Sequence, residues 1–298
     1  MSDHIIVILG PTATGKSDLA VKIAHRFNGE IISADSRQIY KGLDIGTGKI
    51  TKDEMQGIQH YCLDIADTNE RFTVVDWMTE AKKAIKEIRA KEKIPIICGG
   101  TGFYIDSLIH NYIYPELKSE HKDLEGQSTN DLFEILNRLD PDYANKIDRN
   151  NRRKIEKAIV LAKEYGKVPE IKYGPSLGKF ILIGIDIPMN ELSERIEKRL
   201  LKRIDQGMIE EAKRLCSNGM SYEKMEELGL EYRYMSRLLR ENMTMNDFLN
   251  ILKTKIRQYA KRQMTWFKKM KDIKWFGNPQ VENNMNDIID YIKDKLNE

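Results

Sequence analysis

The chain has 298 residues, of which 41% are hydrophobic and 32% are charged, and its formal net charge is +3. This composition is typical of a folded globular protein and excludes a disordered chain, and the length suggests one large domain or two modest ones. The cysteines, Cys62, Cys98 and Cys216, include no C-x-x-C pair, and an odd number gives no disulfide framework. No apolar run reaches the roughly 18 residues that a membrane span needs. We therefore expect a cytoplasmic protein without a membrane segment.

The first part of the chain predicts a parallel α/β sheet. Residues 5–9 form a short, continuous, β-branched run that is typical of a buried strand, and an amphipathic helical pattern follows it. A second strand is predicted at 30–34, so that strand, helix and strand make one βαβ unit. A helix at 74–90 and a strand at 94–98 continue the alternation, and a further strand is predicted at 180–185.

Between residues 114 and 178 the pattern changes to a polar, helix-rich segment bounded by proline and glycine. We interpret this segment as a helical insertion into the α/β core. The predicted organisation is therefore the first part of a P-loop NTPase-like core at 1–113, a helical insertion domain at 114–178, and a core strand followed by a helical C-terminal part at 179–298.

A phosphate-binding loop follows the first predicted strand. The segment GPTATGKS matches G-x-x-x-x-G-K-[ST] between a strand and a helix, which is the context that this motif requires. Its backbone N–H groups and the helix N-terminus favour a phosphate, while Lys16 adds a point charge and the Ser17 hydroxyl can ligate Mg²⁺. The residues predicted to hold a diphosphate are Gly10, Pro11, Thr12, Ala13, Thr14, Gly15, Lys16 and Ser17. The motif indicates a di- or triphosphate without saying which.

Other signals weaken the most common uses of such a loop. The strand at 94–98 runs into Gly-Gly-Thr-Gly, without the acidic residue that often holds Mg²⁺ in nucleotide hydrolases. No guanine-reading Asn-Lys-x-Asp occurs in the chain either. GTPases and motor ATPases are therefore disfavoured, and small-molecule or nucleotide kinases and other users of diphosphates remain.

Two polar residues follow predicted strands at the edge where ligands of open α/β sheets bind. Asp35 comes after the second strand and could be a general base or an N-cap, and the residue types leave both possibilities open. Thr101 follows the third strand and offers a hydroxyl that could contact the same substrate.

Basic residues form two stripes in the C-terminal part. Arg195, Arg199 and Arg203 are spaced by four. Such a stripe either forms a solvated helix face or directs an arginine at a diphosphate. Residues 253–276 carry nine basic residues and one acidic residue, interleaved with aromatic side chains. This mixture suits RNA, although a packed amphipathic helix would also need the aromatic residues.

Together, these segments resemble the tRNA dimethylallyltransferases (tRNA isopentenyltransferases), and the resemblance covers most of the chain. The segments that carry it are GPTATGKS (10–17), ISADSRQIYKGLDIGTGK (32–49), HYCLDI (60–65), FTVVDW (72–77), GGTGFYIDSLI (99–109) and YAKRQMTWF (259–267). The phosphate loop is shared by many families, whereas DSRQIYKGLDIGTGK, GGTGFYI and YAKRQMTWF are much more specific in combination.

The resemblance implies transfer of a dimethylallyl group from dimethylallyl diphosphate to N6 of adenosine 37 in tRNAs that read codons starting with U, with Mg²⁺ assisting. The phosphate loop would then hold the departing diphosphate and not ATP. The resemblance also implies that Asp35 is the general base, that Thr101 helps to hold the adenine amine, and that Arg199 contacts the diphosphate. The residues implied to contact the tRNA anticodon stem-loop are Asp35, Ser36, Arg37, Gln38, Thr101, Arg153, Lys154, Lys157, Arg233, Lys261 and Arg262.

The chain departs from the family pattern at two places. An Arg-x-x-Arg-Ala-Leu stretch of the insertion reads KIEKAI at 154–159, which keeps charge without the forked guanidinium geometry. The Gly-Tyr-Arg segment reads Glu-Tyr-Arg at 231–233, with Gly229 displaced. No zinc finger of the eukaryotic kind is found, so we expect a bacterial type. We also expect a monomer. The competing hypotheses are a kinase, which would consume ATP, and an RNA-binding protein with a nucleotide-sensing loop.

Overall fold

The computed structural model describes residues 3–116 and 124–298. These residues divide into two compact units. The first contains the described residues up to Ile109 together with Ser176–Glu298, and the second contains the described residues of His110–Pro175. The insertion predicted at 114–178 includes residues 117–123, which lie outside the described ranges.

Strands and helices alternate in the first half of the chain, and helices dominate the second. The strands are β1 (His4–Leu9), β2 (Gly29–Ala34), β3 (His60–Tyr61), β4 (Ile94–Gly99), β5 (Tyr112–Ile113), β6 (Lys172–Tyr173), β7 (Lys179–Ile185) and β8 (Lys274–Phe276). The helices are α1 (Lys16–Phe27), α2 (Lys52–Met55), α3 (Val74–Ala90), α4 (Gly102–Ile109), α5 (Thr129–Leu139), α6 (Pro141–Ala144), α7 (Arg152–Tyr165), α8 (Met189–Asp205), α9 (Met208–Ser217), α10 (Tyr222–Glu227), α11 (Leu230–Leu239), α12 (Met245–Phe267) and α13 (Glu282–Leu296).

Six strands of the first unit form one sheet in the order β3-β2-β4-β1-β7-β8, and each neighbouring pair is parallel. The predicted α/β class with a parallel sheet is confirmed. Strand β1 is buried along its whole length, as expected for a continuous apolar run in a sheet that is covered on both faces. Strands β3 and β8 were not predicted, because runs of two and three residues are too short to show a periodic pattern.

The sheet register brings three loops to one edge. Leu9 of β1 and Ala34 of β2 both pair with Gly99 of β4, so the chain leaves all three strands at the same level. The segments that follow are the phosphate loop, the Asp35 turn and the Gly-Gly-Thr-Gly turn. The parallel arrangement therefore assembles, side by side, segments that are far apart in the sequence.

Two helices pack against the strands that lead to this edge, for reasons visible in the sequence. Helix α1 buries Leu19 and Ile23 against the sheet and ends at Asn28, which adopts a left-handed conformation. Helix α3 begins with a capping box, in which Thr73 and Asp76 each satisfy a backbone N–H of the other. The indole Nε1 of Trp77, a fully buried residue of α3, donates to the Ser33 carbonyl at 2.9 Å. That hydrogen bond anchors the end of β2 just before Asp35.

The second unit has its own small core. Helices α5 and α7 bury apolar residues on facing sides, among them Leu132, Leu136, Ile155 and Ile159. Strands β5 and β6 form an antiparallel pair within the same unit. In the described part of the chain, no helix is both long enough and apolar enough to span a bilayer.

Candidate active site

A cavity of about 250 Å³ opens at the carboxyl ends of β1, β2 and β4, within the first unit. Helices α8 and α12 and the turn before α11 complete its wall. Many residues predicted for the site line it. They are Thr12, Lys16, Ser17, Asp35, Ser36, Arg37, Gln38 and Arg199. The cavity thus brings a phosphate loop, a carboxylate and a guanidinium together.

The phosphate loop has the tight geometry that its glycines allow. Gly10 and Gly15 have φ angles of 151° and 85°, and a Cβ on Gly10 would lie 2.7 Å from the Ile185 carbonyl oxygen. The fully buried Thr14 closes the loop by donating its hydroxyl to the Pro11 carbonyl at 2.9 Å. Helix α1 begins at Lys16, within the motif, so its positive end faces the same place.

The Lys16 ammonium group lies in the cavity, and its Nζ donates to the Pro11 carbonyl at 2.5 Å. Removal from water lowers the pKa of Lys16 to about 8, and the Arg199 guanidinium acts in the same direction. Asp35 counteracts this shift through its negative charge. A bound anion stabilises the charged form of such a poorly solvated cation, so the loop favours binding of a negatively charged group.

Gln263 joins the phosphate loop to the neighbouring strand end, a role that the sequence did not reveal. Its Oε1 accepts from the Thr12 backbone N–H at 2.9 Å, and its Nε2 donates to the Gly100 carbonyl at 2.8 Å. The signal that could have found Gln263 is its position, because it is a polar residue on the buried face of α12, between Ala260 and Phe267.

The Asp35 carboxylate has one oxygen engaged in the backbone turn. Its Oδ1 accepts from the N–H groups of Arg37 at 2.9 Å and Gln38 at 3.4 Å, which resembles an N-cap, although residues 36–39 form a turn and not a helix. Within the described ranges, Oδ2 makes no hydrogen bond, and Asp35 lines the cavity. Capping and proton transfer can therefore use different oxygens of the same carboxylate.

Thr101 acts on the same turn from the neighbouring strand end. Its Oγ1 accepts from the Ser36 backbone N–H at 3.1 Å, and its own N–H donates to the Ala34 carbonyl at 3.1 Å. Thr101 is not in the cavity wall, although Gly99 and Gly100 are. In this structure Thr101 holds the backbone beside Asp35, and its contact with a substrate stays a prediction.

The arginine stripe on α8 separates into three different environments. Arg195 pairs with Glu191 at 2.9 Å, and the buried Arg203 pairs with Glu231 at 3.2 Å. Arg199 lies between them and reaches the cavity, where its Nη2 donates to the Gly48 carbonyl at 3.1 Å. Burial lowers the pKa of Arg199, and the Arg203 charge adds to the effect.

A buried carboxylate shapes the backbone that Arg199 contacts. Glu211 is 3% exposed, and its two oxygens accept from the backbone N–H groups of Asp44, Ile45 and Gly46 at 2.7–3.1 Å. The Tyr232 hydroxyl donates to the same carboxylate at 2.7 Å. Glu211 therefore fixes the segment that ends at the carbonyl to which Arg199 donates. The sequence did not single it out, because its backbone partners lie more than 160 positions away in the chain.

The residues predicted to contact tRNA are distributed over both units. In the first unit Lys261 and Arg262 are exposed on α12, and Arg233 is exposed and donates to the Glu226 carbonyl at 3.2 Å. In the second unit Arg153, Lys154 and Lys157 are exposed on α7. These positions leave the side chains accessible, and their contact with RNA stays a prediction.

The donor set near the loop is suited to a metal that takes most of its ligands from the substrate. Among the described residues, no group of three His, Cys, Asp or Glu side chains could hold a metal ion. Ser17 lines the cavity, and in the described part of the chain its hydroxyl makes no hydrogen bond. Because Mg²⁺ commonly binds one or two protein oxygens together with phosphate oxygens and water, Ser17 fits that role.

Comparison with known proteins gives consistent results. The family model for IPP transferase matches residues 38–270. The tRNA dimethylallyltransferase of Anoxybacillus flavithermus is 37% identical, with 99% of this chain and 98% of the relative aligned. That of Acetivibrio thermocellus is 38% identical, with 94% of this chain and 93% of the relative aligned.

Solved structures show the same likeness. The tRNA isopentenylpyrophosphate transferase from Bacillus halodurans matches with a TM-score of 0.76 and 32% identity, covering 99% of this chain and 97% of the other. A eukaryotic dimethylallyltransferase, solved in a study of its action on tRNA, matches with a TM-score of 0.86 and 28% identity, covering 98% of this chain and 80% of the other.

Proposed function

Since this chain belongs to the tRNA dimethylallyltransferase family, we propose that it transfers a dimethylallyl group from dimethylallyl diphosphate to N6 of adenosine 37 in tRNAs that read codons starting with U. The observation that carries the proposal is one cavity in which the loop cation Lys16 and Arg199 face the same space as the Asp35 carboxylate. The kinase alternative is not favoured, because the relatives are prenyltransferases.

The diphosphate end of the donor is proposed to bind in the phosphate loop. During transfer, the bond between the allylic carbon and the diphosphate oxygen breaks, and its electron pair leaves with the diphosphate. Lys16, Arg199 and the loop N–H groups stabilise the negative charge that accumulates on the leaving group. Because these donors are already held in place by the protein, little reorganisation is needed as the bond breaks.

The nucleophile is proposed to be the exocyclic amine of adenine, which is weak because its lone pair is delocalised into the ring. As the nitrogen bonds to the allylic carbon, it has to lose a proton. Asp35 is suited to accept that proton through Oδ2, because Oδ1 is held by the backbone turn. Thr101 supports this geometry by accepting from the Ser36 N–H.

We propose Mg²⁺ as the metal of the reaction, held by the Ser17 hydroxyl and by oxygens of the diphosphate. When bound, it would neutralise part of the leaving-group charge. Lys16 and Arg199 supply positive charge to the same place from the protein itself.

We also propose that tRNA presents its anticodon loop to this cavity, with the target base extruded from the loop so that it can enter. The residues proposed to contact the RNA are Ser36, Arg37, Gln38, Arg153, Lys154, Lys157, Arg233, Lys261 and Arg262. We also propose that the protein acts in the cytoplasm as a monomer.

The function can be tested by incubating the protein with unmodified tRNA, Mg²⁺ and labelled dimethylallyl diphosphate, without ATP. Digestion of the tRNA to nucleosides should then give labelled N6-dimethylallyladenosine from a single anticodon-loop position. A matched tRNA with guanosine at that position is the control and should remain unlabelled. Label that is absent from the first tRNA, or equally present in the second, would contradict the proposal.

A further inference from the structure

We propose that a strip formed by Tyr259, Arg262, Trp266 and Phe103 stacks against unpaired nucleotides that flank the target adenosine. The inference rests on the proposed function and adds to it a specific surface for single-stranded RNA. The strip begins in the wall of the cavity and ends on the surface, so it follows the path that the neighbours of an extruded base would take.

Three members of the strip share one face of α12. Tyr259, Arg262 and Trp266 are spaced by three and four positions, which places them one above another along the helix. Tyr259 lines the cavity, and the Arg262 guanidinium carbon lies 5.9 Å from the centre of the Tyr259 ring. Burial raises the pKa of Tyr259, and the Asp35 carboxylate adds to this effect, so the inner end of the strip lies near the proposed base.

The outer end of the strip consists of two exposed aromatic residues in contact. Trp266 is 42% exposed and Phe103 is 40% exposed, and their ring centres are 6.1 Å apart in an edge-to-face arrangement. A Cβ on Gly102 would lie 2.4 Å from the indole Cδ1, so glycine is needed there for Trp266 to lie against the backbone. Phe103 follows Gly102 directly, which fixes this end of the strip to the Gly-Gly-Thr-Gly turn.

The positive charge around the strip indicates which kind of partner binds it. Lys261, Lys268 and Lys269 are exposed on or just after α12 and flank Trp266 in the sequence. A partner that offers both flat stacking faces and negative charge matches this surface, and unpaired RNA offers both in every nucleotide. An apolar protein segment would match the aromatic residues but would leave the lysines without complementary charge.

The test measures how tightly the double variant Phe103→Ala/Trp266→Ala binds an anticodon stem-loop. Val75→Ala is the control, because it removes an exposed apolar side chain elsewhere. Because stacking of a base on an aromatic ring is worth roughly 1–3 kcal/mol, we expect the dissociation constant to rise about 5- to 150-fold. The control should bind like the parent protein. Affinity for inorganic pyrophosphate should stay unchanged in both variants, which shows that the cavity is intact.

A second RNA makes the test specific for stacking. In this stem-loop, abasic sites replace the two nucleotides that flank the target adenosine. It should bind the parent protein more weakly than the normal stem-loop does, and the double variant should lose little additional affinity. Equal losses on the two RNAs would overturn the inference, because the aromatic side chains would then act without contacting those bases.

Tryptophan fluorescence gives an independent measurement on the same strip. Of the three tryptophans, Trp77 is fully buried and Trp275 is partly buried, so Trp266 is the most exposed. Stem-loop binding should quench the emission, and Trp266→Phe should remove most of that quenching. If quenching persists in Trp266→Phe, the strip does not contact the RNA.

The two proposals can fail separately. If the parent protein prenylates tRNA while all these variants bind RNA normally, the inference alone fails. If the parent protein does not prenylate tRNA, the proposed function fails.

Discussion

The charged side chains of the cavity have environments that suit opposite tasks. Lys16 and Arg199 are cations that are partly removed from water, and their pKa values are lowered accordingly. Asp35 keeps one oxygen outside the hydrogen bonds of its turn. A bound anion stabilises the two cations, whereas the second oxygen of Asp35 is available to accept a proton.

The lowered pKa of Lys16 predicts how pyrophosphate binding depends on pH. Below pH 8 Lys16 is already protonated and binds the anion as a cation, whereas above pH 8 it must first take up a proton. The contribution of Lys16 to affinity should therefore be nearly constant well below pH 8 and should fall by up to about tenfold per pH unit above it. Calorimetry in buffers of different ionisation enthalpy should detect uptake of the proton.

Lys16→Arg is the control for this measurement, because arginine stays charged over the whole range and any remaining pH dependence belongs to the pyrophosphate. If the parent protein and Lys16→Arg show the same pH profile, Lys16 does not titrate where its environment indicates.

Asp35 has two functions that one substitution can separate. Asn at this position keeps an oxygen that can cap the turn but cannot accept a proton, so Asp35→Asn should lower kcat by roughly 10²- to 10⁴-fold while tRNA affinity changes little. Single-turnover transfer of labelled prenyl group measures the rate. Asp67→Asn, which removes an exposed carboxylate paired with Lys41, is the matched control and should react normally. A near-normal rate for Asp35→Asn would remove Asp35 from the role of base.

At the level of helices and strands, the sequence predicted what depends on local patterns. The long strands of the sheet and α3 were predicted at nearly their observed bounds, because continuous apolar runs and helical periodicity are local properties. Helix α12 was predicted as basic and aromatic, but its contact with the phosphate loop through Gln263 depends on tertiary packing. Glu211 was missed for the same reason, because its partners lie far away in the chain.

The exposed charges of α12 give a prediction at this scale. Lys261→Glu/Arg262→Glu should weaken tRNA binding and lower the slope of log affinity against log salt concentration by about 2, because two phosphate contacts are lost. Filter binding at several salt concentrations measures this slope. Lys83→Glu/Lys86→Glu on α3 makes the same change of charge on another exposed surface and should leave the slope unaltered. Equal slopes for the parent protein and the α12 variant would exclude these side chains from the interface.

For the molecule as a whole, the cavity depends on distant parts of the chain folding together. Gln263 and Thr12, which join α12 to the phosphate loop, are 251 positions apart. The helical C-terminal part therefore belongs to the phosphate site and is more than an addition to the α/β core. We propose that the site assembled in this way holds the diphosphate that leaves from an allyl donor.

The most direct test of this role for the loop is to count the diphosphate released during transfer. Labelled dimethylallyl diphosphate and unmodified tRNA are mixed with the protein and Mg²⁺ in the absence of ATP, and pyrophosphate and prenylated adenosine are measured in the same samples. We expect one pyrophosphate for each prenylated adenosine. Product formation that requires ATP, with ADP and not pyrophosphate released in step, would contradict it.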